Sequence, residues 1–234
     1  MLIISYQATL CAKSTTTHGK KVHWNFLKIA CQRTTILKEL NNANVNKLTR
    51  IKIFSMLRES NAIEGVYSKH ALQDAVKAWD WAYEHRKEPI TDEYVLKIHA
   101  LLLRRLNPSI AGKYRQCGVR VGGDFKMDYQ NCPKKVKKWV EQAFQKDIMK
   151  YANRGKGISF LYDRDNLTME RHIDFEEIHP FEDGNGRTGR ILYNMQRVML
   201  GLPLHIIHEG DEQMHYYTLF QQRRVTRLLA EGLL

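Results

Sequence analysis

"HPFEDGNGRTGR", residues 179–190, sets one histidine, two carboxylates, three glycines, one asparagine and two arginines into twelve positions. Its last six or so residues run into "GRILYNMQRVMLGLP", where Ile191, Met195, Val198 and Met199 recur at helical spacing before Gly201 and Pro203. "GNGRTG" satisfies Gly-x-Gly-x-x-Gly, the dinucleotide fingerprint. That fingerprint needs a buried strand in front of it. "DFEEIHPFED" is acidic and broken by proline, so the βαβ context is missing and a doubly wound sheet is rejected. The alternative is a loop that opens a helix inside a helical protein.

Such a loop has a physical use. A glycine-rich entry to a helix presents unpaired backbone N–H groups and the positive end of a dipole. Arg187 lies in the first turn, where a cation is misplaced unless an anion sits close by. Arg190 follows one turn later. With Gly184 and Gly186 they describe a polyphosphate cradle. Asp183 at its lip suits Mg²⁺ bridging phosphate oxygens. Asn185 offers a side-chain donor to phosphate. His179 titrates near neutrality and is a candidate general base. Phe181, among polar neighbours, is the anchor that pins the loop to the core.

The remaining 222 residues of the 234 read as mostly helical. "RIKIFSMLRESNAIEG" carries Ile53, Met56, Leu57 and Ile63 at helical spacing and stops at Gly65. "SKHALQDAVKAWDWAYEH" starts at a Ser68 cap and repeats Leu72, Val76, Trp79 and Tyr83. Thr91 opens the next helix, Pro133 another, and a last one covers about 212–230. "CGVRVGGDFKM" alternates Val119 and Val121, turns at Gly122-Gly123, then alternates Phe125 and Met127, which predicts a β-hairpin. The fold class is therefore all-α, a helical bundle with one short hairpin. Three regions are expected: 1–45 as an extension of unknown role, 46–88 as a helical region, and 89–234 as the core with the C-terminal helix.

The formal net charge is +12, which admits a nucleic-acid partner. The densest run, "KKVKK" at 134–138, reads instead as the outer face of a helix burying Val136, Val140 and Phe144, so nucleic-acid binding is disfavoured. No uninterrupted apolar stretch reaches 18 residues, so no membrane span is expected. "MLIISYQATLCAKS" lacks basic residues before its apolar run and reads as a strand or loose end rather than a signal peptide. Four cysteines, at 11, 31, 117 and 132, have no Cys-x-x-Cys spacing; free thiols in a reducing cytoplasm are the simplest reading. His205 and His208 lack a third ligand for zinc. Trp79, Trp81 and Tyr83 read as core or interface.

Residues 179–190 resemble the signature of Fic-domain proteins, His-Pro-Phe-x-[Asp/Glu]-Gly-Asn-Gly-[Arg/Lys]-x-x-Arg. His179, Pro180, Phe181, Asp183, Gly184, Asn185, Gly186, Arg187 and Arg190 meet every fixed position. "AGKYRQCGVRVGG" and "ERHIDFEEIHPF" are similar to the family's flap segment and pre-loop helix, and the resemblance covers roughly residues 50–205. It implies a Fic fold and transfer of AMP from ATP to a Ser, Thr or Tyr hydroxyl of a target protein. His179 would deprotonate that hydroxyl. Asp183 would hold Mg²⁺, Asn185 the α-phosphate, and Arg187 and Arg190 the β- and γ-phosphates. The hairpin, with Val119, Arg120, Val121 and Gly122, would be the flap that receives an extended target segment. Self-modification, with Tyr114 and Tyr129 as candidate sites, and a homodimer belong to the same implication.

"SNAIEG", residues 60–65, is similar to the family's inhibitory pattern [Ser/Thr]-x-x-x-Glu-[Gly/Asn]. Ser60 and Glu64 are four apart, hence on one helical face, and prolong the inward stripe of Ile53 and Leu57. A carboxylate at the end of a buried stripe needs a cation. By resemblance that cation is Arg190, and Glu64 with Ser60 and Gly65 would be a brake. Two rivals stand beside this reading. One keeps the fold but has Glu64 and His179 remove AMP from a modified protein. The other is a basic nucleic-acid-binding protein whose loop merely holds phosphate.

Overall fold

Helical spacing of apolar residues organises nearly all of the computed structural model, which describes residues 46–152 and 158–232. Cys11, Cys31 and the expected N-terminal strand or loose end lie outside the described residues. The chain divides into two compact units, 1–50 and 51–234. Of the first, residues 46–50 are described and are helical. The second contains everything that follows. Its elements are α1 (51–62), α2 (Lys69–Glu84), α3 (Asp92–Leu103), β1 (Arg120–Val121), β2 (Asp124–Phe125), α4 (Cys132–Val140), α5 (Asp147–Ala152), α6 (Ile158–Ile178), α7 (Asn185–Met199) and α8 (Asp211–Ala230). Among the described residues no helix is long and apolar enough to cross a membrane.

Most element boundaries follow their local signals. Gly65 adopts φ +68° where α1 ends, and Ser68 Oγ accepts a hydrogen bond from the Ala71 N–H at 3.3 Å. The hairpin pairs Arg120 with Phe125 and Val121 with Asp124 around Gly122-Gly123. Val136, Val140 and Phe144 are buried, as the lysine run required. Cys117 and Cys132 are free thiols.

Two expectations need correction. The buried face of α2 is not Leu72, Val76 and Tyr83 but Ala71, Ala75, Ala78, Trp79 and Ala82. Leu72 and Val76 sit at the margin of the core, and Tyr83 is exposed. Small side chains let α2 lie close against α3, so the stripe is rotated toward the alanines. The helix starting near Pro133 is also not uniform. A π-helical turn, Glu141–Lys146, separates α4 from α5. Gln196 on α7 donates from Nε2 to the Ala143 carbonyl within this turn at 2.8 Å.

The core is built round α7. Every residue from Arg187 to Arg197 is buried, together with Asn185. Leu57, Trp79, Ile98, Leu103, Phe175 and Phe181 pack in the same apolar cluster as its Ile191, Leu192 and Met195. Yet α7 also buries Arg187, Thr188, Arg190, Asn194, Gln196 and Arg197. Buried polar groups need partners. Asn194 hydrogen-bonds both the N–H and the carbonyl of His205, and Arg197 pairs with Asp165. These polar side chains tie α7 to its neighbours; Arg187 turns back to Asp183 of the preceding loop, and Arg190 reaches Ser60 and Glu64.

Burial also sets the response to acid. The Gly112 N–H donates to His99 Nδ1 at 2.9 Å, so Nε2 carries the ring hydrogen and donates to the Asp183 carbonyl at 3.0 Å. Burial lowers the His99 pKa to about 4 and that of His172 to about 3. The unfolded chain binds these protons from about pH 6.5 downward. Stability from both histidines is therefore complete above pH 6.5 and is lost as pH falls toward 4. The His179–Glu176 pair, shifted in opposite directions, nearly cancels. Urea unfolding at pH 7 and pH 5 should show a loss on the order of 1–2 kcal/mol per histidine; an unchanged midpoint would contradict this assignment.

Candidate active site

The last turn of α6 delivers His179. Its N–H still makes the helical bond to the Phe175 carbonyl at 3.1 Å, but φ is +47°, a left-handed value rare for a residue with a Cβ. The chain is over-determined on both sides of it. Arg115, 1% exposed, donates from Nε to the His179 carbonyl at 2.8 Å, and its own N–H reaches the Pro180 carbonyl at 3.0 Å. Phe181 stacks face to face on His99, with ring centroids 3.7 Å apart, and Tyr114 lies parallel at 6.0 Å. Phe181 is thus the anchor its setting implied.

Asn185 ties the loop together. Its Oδ1 accepts from the Phe181 N–H at 2.9 Å and its Nδ2 donates to the Phe181 carbonyl at 2.8 Å. One oxygen contact and one N–H of the amide thus close the loop on itself. Gly184 stands at the helix entry with φ +77°, and a Cβ there would come within 2.6 Å of Leu103 Cδ2. Only glycine satisfies both the left-handed turn and the close approach.

The N-terminus of α7 is where charge collects. Arg187 Nη2 donates to both Asp183 oxygens at 3.0 Å. Asp183, with 56% of its side chain exposed, supplies one carboxylate at the lip of the loop. That fits magnesium, which commonly takes one or two protein carboxylates and completes its shell from phosphates and water. Arg190 is fully enclosed. Its Nε donates to Ser60 Oγ at 2.9 Å, and its Nη2 to the Ser60 carbonyl at 2.8 Å and to Glu64 Oε1 at 2.7 Å. A Cβ on Gly186 would lie 2.2 Å from that same Glu64 oxygen. An acidic side chain from the end of α1 therefore rests over the first turn of α7, against the anion nest.

Burial is the main cause lowering the His179 pKa to about 4, with Lys126 and Arg115 adding to it. The ring is neutral at physiological pH and free to accept a proton. The hairpin stands beside it. Arg115 Nη1 and Nη2 bind the Cys117 and Met127 carbonyls at 2.7 and 2.5 Å, gripping both ends of the hairpin. Lys126 reaches Glu177 at 3.5 Å, and Arg227 of α8 holds the same carboxylate at 2.8 Å. Val121 and Phe125 remain exposed.

Other candidates fare differently. The Tyr114 hydroxyl is buried, so it is not open to modification; Tyr129 is half-buried in a 3-10 turn. His205 bonds Tyr193 and His208 lies near Glu59, so they do not converge. Three residues of the site went unassigned in the sequence. Arg115 and Glu176 sit in the quoted segments, and Glu176, three before His179 on a helix, carried a positional hint. Tyr216 carried none: it comes from α8 and bonds His172 at 2.7 Å.

Comparison with known proteins agrees with this geometry. The profile of the Fic/DOC family matches residues 89–196. The chain is 26% identical over 181 residues to a protein adenylyltransferase Fic from Culex quinquefasciatus, covering 73% of this chain and 33% of that protein. A namesake from Nematostella vectensis is 28% identical over 150 residues, covering 64% and 33%. The chain thus spans about a third of the length of the curated relatives it matches. Among solved structures, a Fic-domain-containing signalling protein from Bacteroides thetaiotaomicron superposes with a TM-score of 0.63 at 17% identity, covering 77% of this chain and 75% of that one. Fic-1 from C. elegans gives 0.58 at 17% identity, covering 84% and 68%. The all-α bundle with its short hairpin is the Fic fold.

Arg115 is the joint between loop and hairpin. Arg115→Met leaves the His179, Cys117 and Met127 carbonyls without their donor. Stability should fall by about 2–5 kcal/mol. Hydrogen exchange should accelerate first at residues 117–127. Uniform exchange across the chain would show that Arg115 serves the fold as a whole rather than this joint.

Proposed function

Because the Fic/DOC family profile matches residues 89–196, we propose that the chain is a protein adenylyltransferase whose own Glu64 restrains it. The observation that carries this reading is the placement of the Glu64 carboxylate over Gly186, in contact with Arg190. A nest of helix N–H groups and two arginines is built for an anion, and the chain fills it with one of its own.

In this reading the triphosphate of ATP lies along the entry to α7. Backbone N–H groups at Gly184–Gly186 face its oxygens, and Arg187 and Arg190 hold the terminal phosphates. Asp183 would hold magnesium, which lowers the charge on the phosphates and on the leaving group. His179 accepts the proton of a Ser, Thr or Tyr hydroxyl on the target. The hydroxyl oxygen bonds to the α-phosphorus, the bond from that phosphorus to the β-bridging oxygen breaks, and pyrophosphate departs. Positioning and charge stabilisation supply the rate. The exposed hairpin edge, with Val119, Arg120, Val121 and Gly122, would align an extended target segment.

Glu64 competes with the terminal phosphate for Arg190. A nucleotide bound while that contact persists lacks its terminal clamp and sits out of line for attack. Coupling of this kind is typically about 1–3 kcal/mol, a factor of roughly 5 to 150. Glu64 is 34% exposed, so its removal costs less stability than a fully buried partner would.

Incubation with ATP labelled on the α-phosphate tests the proposal. Glu64→Gly should raise labelling of the protein or a lysate target within that range, and His179→Ala in the same background should abolish it. Equal labelling with and without Glu64 removes the brake. Absence of label in every variant, with salt-dependent DNA binding instead, removes the transferase.

A further inference from the structure

His179 presents a difficulty as a base. A ring whose proton affinity is depressed to about 4 is always neutral but takes up a proton reluctantly at pH 7. Something must favour the charged ring at the moment of transfer. The hydroxyl meets one ring nitrogen; the other, Nδ1, is buried and makes no hydrogen bond among the described residues.

The group that faces Nδ1 is Glu176, one turn back on α6. Its Oε2 lies 4.0 Å from Nδ1, one side-chain adjustment short of a hydrogen bond. Its Oε1 is likewise buried without a partner. Two unsatisfied buried atoms on adjacent groups are costly apart and complementary together. The packing around the carboxyl is specific. A Cβ on Gly189 of α7 would fall 2.3 Å from Glu176 Oε1, so the third glycine of the loop-helix segment makes room for this side chain.

We propose that Glu176 is a positioning residue for His179: its carboxylate accepts a hydrogen bond from the Nδ1–H, leaves Nε2 as the nitrogen that receives the target proton, and balances the charge of the imidazolium. This rests on the reading of His179 as the general base. The proton inventory closes. The target O–H bond breaks and its proton goes to Nε2, Nδ1 keeps its own hydrogen, and the ionised carboxyl offsets the ring. When pyrophosphate has left, the Nε2 proton passes to solvent.

The surroundings hold the carboxyl close to its switching point. Burial raises the Glu176 pKa to about 7; Glu64 just after α1 and Glu177 on α6 raise it further, while Arg190 on α7 and Lys126 just after β2 lower it. Around the ring, Lys126 and Arg115 disfavour charge, and Glu64 favours it. The backbone carbonyl of Glu176 also favours the charged ring and is the rival acceptor for Nδ1. Removing Glu64 takes away one group that keeps the carboxyl protonated, so activity in a Glu64→Gly protein should rise through a limb at or below about pH 7.

The full-length Glu64→Gly protein, labelled with ¹⁵N-histidine, decides between carboxyl and carbonyl without requiring turnover. Glu176→Leu removes the acceptor; Glu176→Gln keeps an acceptor oxygen and removes the charge. The parent and the Gln variant should show His179 as the Nδ1–H tautomer, and the Leu variant a mixture. In label transfer from ATP, kcat should fall roughly 10- to 100-fold for Leu and less for Gln, with KM for ATP within about twofold. The neutral limb of kcat should vanish in both. Identical ring shifts in all three proteins overturn the proposal and assign the hydrogen to the backbone carbonyl. A kcat loss that leaves the limb in place overturns it as well. Should the Glu64→Gly protein transfer no label, the transferase reading falls while the ring shifts still decide the pairing.

Discussion

A helix whose positive end is buried must meet negative charge, and α7 is such a helix. It runs through the middle of the core with Arg187 and Arg190 in its first two turns, where the dipole already makes cations unwelcome. In this structure Asp183 answers Arg187 and Glu64 answers Arg190. Neither answer is complete. Arg187 keeps an unpartnered Nε, and Glu64 reaches the nest from another element with a third of its side chain in solvent. Under the proposed function the arrangement is that of an anion site held by a substitute, and exchange of that substitute for a triphosphate is the switch.

The loop before α7 is stiff for the same purpose. Asn185 ties back to Phe181 through both amide atoms, Phe181 is clamped between aromatic rings, and Arg115 holds the carbonyl of His179. Rigidity lets His179 keep an unfavourable φ and lets backbone N–H groups point at one place without reorganising. Arg115 also binds both ends of the hairpin, so whatever occupies the hairpin edge is held in register with the histidine.

Buried titratable groups surround this loop, and burial moves them in opposite directions. His99, His172 and His179 are kept neutral; Glu176 is raised to about 7, where it changes charge near neutral pH. A pair of groups pushed apart in this way is a common arrangement for acid–base work. His99 does not belong to that chemistry. Its two ring nitrogens are taken by Gly112 and Asp183 backbone atoms, and its role is to support Phe181.

The sequence by itself determined the helical class, the hairpin with its glycine turn, the glycine-rich entry to a helix and the nearness of Ser60 to Glu64. Each rests on residues within about a turn or two of one another, where periodicity and backbone chemistry act. Tertiary structure alone decided the rest. The α2 stripe rotated to its alanines because α3 lies close, and the Gln196 amide met a carbonyl of the π turn 53 residues away. Asn185 turned inward because Phe181 offered both an N–H and a carbonyl. Arg115 and Tyr216 became part of the site because their partners lie 64 and 44 residues distant, at His179 and His172. Local patterns carry which face is apolar; they do not carry which distant backbone oxygen or ring will be waiting when that face is buried.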